Sequence, residues 1–187
     1  MNRANFRPGP LADVSAHSDG DGWTLVFVRE LAHPPARVWS ALTEPDQLGE
    51  WAPYTASRDL STTGEATLTM IDRDVREELP SAVTRSEPPR LLEYTWSGAV
   101  LRWELAPTEV GTRLTLHHTV DSPDWLPRAA AGWHLCLDVA GHLLAGDPVG
   151  PIRGMEAMDF GWNELNHAYA DALGVEATDL PNGTSGA

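Results

Sequence analysis

The sequence predicts an α+β fold in which a curved antiparallel sheet wraps around a long C-terminal helix, with two short helices closing one end. Three observations predict it. Between residues 64 and 120, apolar residues recur at every second position in short runs separated by Gly, Pro or Ser, as an antiparallel meander with one buried face requires. A single helical stripe, Trp133, Leu137, Ala140 and Leu144, follows that meander. Ahead of it, "HPPARVWSALTEPDQLGEW" (33–51) places two proline-opened helical turns directly after a strand.

Each element has its own justification. Residues 1–21 are rich in Gly, Pro, Asp and Ser without periodicity and are expected as a flexible arm. "WTLVFVREL" (23–31) is β-branched and aromatic, a strand. Pro35 suits a first helical turn, and Val38, Trp39 and Leu42 then share a face; Thr43 is placed to cap a second turn beginning near Pro45, with Leu48 and Trp51 inward. "GEATLTMID" alternates Ala66, Leu68 and Met70 against two threonines, and "SAVTRSEPPRLLEYTW" reads as two strands joined at Pro88-Pro89. "VLRWELAP" and "GTRLTLHHTV" continue the alternation with Leu101, Trp103 and Leu105, then Leu114, Leu116, His118 and Val120. A helix from about Pro127 to Ala145 follows, with Asp124 as a candidate cap and Gly146 as its stop. Met158, Trp162, Leu165, Tyr169 and Leu173 then lie at helical spacing before Gly174 and form a docking stripe, with dimerisation as the alternative. The expected organisation is an arm (1–21), a domain (22–146), an extension with a docking helix (147–174) and a loose tail (175–187).

Thirteen basic against 27 acidic residues leave a formal charge of −14, which repels phosphate backbones and excludes nucleic acid as an expected partner. No apolar run is long enough to span a bilayer, so no membrane insertion is expected, and the N-terminal stretch lacks the apolar core of a secretory signal. With a single cysteine, Cys136, no internal disulfide can form, and a cytoplasmic location is expected. For that reason the sequon at Asn182 carries little weight.

"HPPARVWSALTEPDQLGEW", "SEPPRLLEYTW", "GTRLTLHHT" and "GWHLCLDVAGHLLAG", in that order over residues 23 to 146, resemble the SRPBCC superfamily, whose fold is the START-like helix grip. Within it, the chain is similar to the bacterial branch related to the activator of heat-shock-protein-90 ATPase. The resemblance implies a sheet gripping a C-terminal helix. It leaves the activity open, because members bind lipids, hormones or polyketides and some catalyse cyclisation or hydration. Eukaryotic activators carry a separate N-terminal domain for which the short arm has no room, so no co-chaperone role is expected.

Side-chain parity turns Met70, Tyr94, Trp96, Trp103 and His118 toward the long helix, from which Trp133 points back, and places Trp51 and Tyr54 at the mouth. These eight residues are the candidate lining of an apolar cavity with a few polar tips; the alternative is that they fill a core. His118 and Tyr94 are the candidate proton-handling groups. His134, Asp138 and His142 stand at metal-ligand spacing, but at ~100° per residue they lie away from the apolar stripe, on a solvated face or one covered by the final helix. His117 and His118 point to opposite faces of a strand, so no metal and no cofactor is expected. Cys136 reads as a small core filler.

The leading expectation is therefore a protein, monomeric or homodimeric, that binds a small hydrophobic molecule between sheet and helix. An enzyme of the polyketide cyclase or dehydratase type is the first alternative. A protein-interaction module using the sheet's outer face or the final helix is the second.

Overall fold

The computed structural model describes residues 3–178 apart from 21 and 74. Its centre is an eight-stranded antiparallel sheet. The strands are β1 (Asp13–Asp19), β2 (Gly22–Leu31), β3 (Tyr54–Ala56), β4 (Gly64–Asp72), β5 (Val75–Glu87), β6 (Leu91–Trp96), β7 (Ala99–Thr108) and β8 (Gly111–Val120). Their order is β1-β2-β8-β7-β6-β5-β4-β3, so the sequential meander β3 to β8 is closed at its last strand by β2. Helices α1 (Pro35–Thr43) and α2 (Pro45–Leu48) fill the connection from β2 to β3. The long helix α3 (Trp125–Leu144) crosses the inner face, and a 3-10 turn (Gly154–Phe160) leads into α4 (Trp162–Leu173).

Pleating and register together select the inner face. Leu25 pairs with His118, His118 with Leu101, Leu101 with Tyr94, and Tyr94 with Val83, so one row of inward side chains crosses five strands. The opposite face is polar, with Glu30–Arg113 at 2.6 Å and Arg102–Glu104 at 2.7 Å. The inward row and its neighbours Phe27, Leu92, Trp103 and Leu116 are buried in the core on the α3 side of the sheet. This is the helix-grip arrangement that the alternating pattern predicts.

The turn at Gly111 is fixed by close approach: a Cβ there would lie 2.1 Å from the carbonyl oxygen of Leu31, so only glycine lets β8 start against the end of β2. α3 ends where expected, with Gly146 at φ +77° donating its N–H to Leu143 O. Asp124 does precede α3, but its side chain makes no capping bond. Thr43 is not the cap of α2; Glu44 holds that position, and the Thr43 hydroxyl instead donates back to Trp39 O at 3.0 Å.

Residues 3–20 depart from the expected flexible arm. Asp13–Asp19 pair along β2, Phe6 is 1 % exposed, and the Arg3 guanidinium donates to Gly150 O (2.9 Å), Pro151 O (2.8 Å) and Glu156 (2.6 Å). The physical reason is that an edge strand is held by backbone hydrogen bonds, so polar side chains such as Ser15 and Ser18 do not prevent it. Only Val14 and Ala16 pack toward the core, too short an alternation to read amid polar sequence. β3 and the first half of β5 went unread for the same reason. The tail and the sequon at Asn182 fall mostly or wholly outside the described residues, as 179–187 are not described.

α4 docks alongside α3 through Trp162, Leu165 and Tyr169, with further contacts to β1 and with the Tyr169 ring 5.9 Å from Phe27 on the inner face of β2. No helix among the described residues is long and apolar enough to cross a membrane.

Candidate functional site

α1 and α2 close one end of the molecule by filling it. Trp51 is 1 % exposed, and its indole N–H donates to Ala41 O at 2.9 Å, which ties the residue after α2 to α1. Trp103 meets Trp51 edge-on at 6.1 Å and Trp133 edge-on at 5.2 Å. The Trp103 N–H donates to the Tyr94 hydroxyl at 3.2 Å, and the Tyr94 and Tyr54 hydroxyls share a 2.7 Å bond. Burial pushes the Tyr94 phenol up to about 12, and burial followed by the neighbouring Tyr94 raises Tyr54 well above its ordinary value. Both phenols are therefore neutral members of a satisfied hydrogen-bonded core.

This corrects part of the expected lining. Trp51, Tyr54, Tyr94 and Trp103 face inward as parity requires, yet they are packed against one another, and Trp51 and Tyr54 do not stand at a mouth. Met70 is partly buried beside Tyr54, its partner in register, and lines no cleft. Parity fixes direction; whether opposing rings meet or leave space depends on the layer spacing, which no single strand encodes.

Space remains at the other end of β7 and β8. There the first half of α3 stands off the sheet and leaves an apolar cleft of about 380 Å³, partly open to solvent. Trp96, His118 and Trp133, three of the eight expected residues, line it. Sequence reasoning missed Trp162 from α4, Trp125 and Arg128 from the first turn of α3, and Cys136 and Gly132 from its middle. Trp125 is 49 % exposed at the rim, with the Arg128 guanidinium 5.1 Å from its ring. Ser97 and Asp121 are exposed on the same rim. Nothing in a stripe of helical spacing says that Trp162 reaches a cleft, because its position depends on where α4 docks.

His118 is the polar centre of the wall. Its Nδ1 accepts the Trp133 indole N–H at 3.0 Å, and Trp96 lies against the ring at 5.6 Å and 32°. Burial pushes its pKa down to about 4, so the ring is neutral at pH 7. Tyr94 lies two strands away on the inner face, beyond Leu101, roughly 9–10 Å by strand spacing, and it is bonded elsewhere. The two candidate proton-handling groups are thus not brought together. Burial raises the Cys136 thiol to about 12, which leaves it a neutral wall atom.

The second cluster lies on a different flank of α3 from the cleft. The His134 side chain is fully buried under α4, its Nδ1 2.7 Å from the Tyr169 hydroxyl, which also accepts the Ala12 N–H at 3.0 Å. Asp138 accepts hydrogen bonds from Arg29 and from the Gly9 N–H (2.7 Å). His142 packs edge-on against Phe6 at 5.9 Å. Tyr169, then Arg29 with Gly9, and then Phe6 engage His134, Asp138 and His142 in turn, and His134 Nε2 also lies 3.1 Å from Asp138 Oδ2. His134 lies under the final helix, whereas Asp138 and His142 meet the N-terminal segment through Gly9 and Phe6. No group of three potential ligands suited to a metal occurs among the described residues.

Comparisons with known proteins agree with this architecture. The crystal structure of CalU16 from Micromonospora echinospora is similar at 21% identity and a TM-score of 0.61, covering 86% of this chain and 96% of that one. A conserved protein of unknown function from Enterococcus faecalis gives 18% identity and 0.63, with 84% and 88% covered. The solution structure of an AHSA1-like protein from Aeromonas hydrophila gives 18% and 0.57, with 66% and 92% covered. At these identities the likeness shows the fold alone. No curated protein matches the chain. The family model described as Activator of Hsp90 ATPase homolog 1-like protein matches residues 32–144, more than half of the sequence, and the chain belongs to that family, within the SRPBCC superfamily.

Proposed function

We propose that the protein binds a small, mainly apolar molecule in the cleft between the first half of α3, the end of the sheet and α4. The observation that carries this reading is the cleft itself: about 380 Å³, walled by Trp96, His118, Trp133 and Trp162, with charged groups confined to its rim. Small-molecule sites typically occupy ~300–1,000 Å³ with apolar walls and few polar groups, and this cleft fits the lower part of that range. The contiguous rings of Trp96, His118 and Trp133 supply rigid contact area at little cost in side-chain entropy.

A proton-transfer role for His118 with Tyr94 gains no support from the geometry. Tyr94 stands outside the cleft, and the one residue bonded to His118 is an indole donor rather than a carboxylate that would raise its basicity. Binding without chemistry is the simpler reading of such a wall.

Native mass spectrometry of the purified protein tests it. A co-purifying molecule of a few hundred daltons, lost when Trp133→Ala is purified in parallel and folded, supports the proposal. An unoccupied protein that also takes up no apolar probe at micromolar concentration refutes it.

A further inference from the structure

Resting on the reading of this cleft as a ligand site, we propose that its occupant is an uncharged, planar ring system presenting a carbonyl-type acceptor oxygen to the Nε2–H of His118. The Trp133 contact fixes the tautomer of His118. An indole N–H can only donate, so the 3.0 Å bond from Trp133 obliges His118 Nδ1 to offer its lone pair. In the neutral ring the proton then resides on Nε2. That nitrogen makes no hydrogen bond to the protein among the described residues, although His118 is only 8 % exposed and lines the cleft. A second donor stands nearby: the Trp96 indole nitrogen is buried without a partner. The Trp162 indole nitrogen, beside Gly132 on the cleft wall, also lacks a partner among the described residues.

Side-chain acceptors are fewer: Thr119 Oγ1 has one lone pair taken by the Val100 N–H at 2.8 Å, and the Asp121 carboxylate and Ser97 hydroxyl are exposed on the rim. The inner wall therefore offers more donors than acceptors, with the Trp96 N–H buried and unpaired, so a ligand acceptor gains more there than a ligand hydroxyl or amine. It likewise holds no buried charge to neutralise an ionic ligand, which would lose its hydration without compensation. A flat ligand suits this wall, since the Trp96, His118 and Trp133 rings touch one another at 5.6, 5.7 and 6.0 Å and form one continuous aromatic surface for a ring system to lie against. A ketone or quinone-like oxygen on a fused ring system satisfies all three conditions.

Three rigid tricyclic probes of nearly equal size test this by equilibrium dialysis against the full chain at pH 7.5: fluorenone, an acceptor; fluorene, with neither function; and carbazole, a donor. The proposal expects fluorenone to bind about two- to tenfold tighter than fluorene, the effect of one net hydrogen bond, and carbazole to bind no tighter than fluorene. In His118→Phe the ratio of fluorenone to fluorene affinity falls to about one. Should that variant not fold, the nitrogen-15 shifts of His118 in the wild type decide, because a proton found on Nδ1 overturns the proposal. Equal affinities for fluorenone and fluorene also overturn it and leave the cleft as a binding site; failure of all three probes to bind removes the site itself.

Discussion

Replacing Tyr94 by phenylalanine removes one oxygen from a fully buried position and changes almost nothing in shape. That oxygen accepts the Trp103 indole N–H at 3.2 Å and shares a 2.7 Å bond with Tyr54, so the substitution leaves two buried polar groups without partners. Each orphaned group costs about 1–2 kcal/mol, giving about 2–4 kcal/mol for Tyr94→Phe. Tyr54→Phe leaves the Trp103 bond intact and orphans one group, for about 1–2 kcal/mol. Urea denaturation followed by circular dichroism reads the difference. With a slope of roughly 2 kcal/mol/M, the midpoint falls by about 1–2 M for Tyr94→Phe and about half that for Tyr54→Phe. Neither residue lines the cleft, so fluorenone affinity stays within about twofold in both variants. The reasoning is refuted if Tyr54→Phe is the more destabilised of the two, or if Tyr94→Phe abolishes binding while stability holds.

Three further outcomes are expected. His118 and His134 are both held near pKa 4 against an ordinary 6.5, chiefly by burial, so the unfolded chain takes up protons first on acidification; stability falls as pH drops below about 6.5 toward 4, by about 2 kcal/mol per histidine between pH 7 and pH 5, and a urea midpoint unchanged over that interval contradicts the burial of both rings. Asp138→Asn leaves the Arg29 guanidinium, whose pKa burial lowers, without its carboxylate, which costs about 2–4 kcal/mol and speeds hydrogen exchange at the Gly9 amide; an unchanged exchange rate there contradicts the tie between the N-terminal segment and α3. Trp125→Ala, at an exposed rim position, shifts stability by no more than about 0.5 kcal/mol while weakening fluorene binding severalfold, and an unaltered affinity places the ligand away from that rim.

Much of this was written in local pattern. His118 shares the inner face with Leu114 and Leu116 because the side-chain period of a strand is two, and the register β2-β8-β7-β6 then aligns it with Leu25, Leu101 and Tyr94. The α3 stripe likewise set His134 and Asp138 apart from the apolar residues, but the expectation that they face away from the sheet fails for Asp138, which accepts from Arg29 on the inner face of β2. What covers His134, α4 with Tyr169, is a tertiary fact between residues 35 positions apart. The filled-or-hollow question failed for the same reason. Trp103 and Trp96 read alike on their strands, yet Trp103 meets Trp51 from beyond α2, whereas Trp96 meets the open end of the α3 gap. β1 was hidden because backbone pairing tolerates "DVSAHSD", and the role of Trp162 because an amphipathic stripe shows that a helix docks, not which cleft its first residue enters.

The central claim, that ligands enter between α3, α4 and the end of the sheet, is tested most directly by intermolecular nuclear Overhauser contacts from fluorenone bound to the isotope-labelled protein. The account predicts contacts to the His118 ring and to the indoles of Trp96, Trp133 and Trp162. Contacts instead to Tyr54, Tyr94 or Trp103, or to the outer face of the sheet, contradict it.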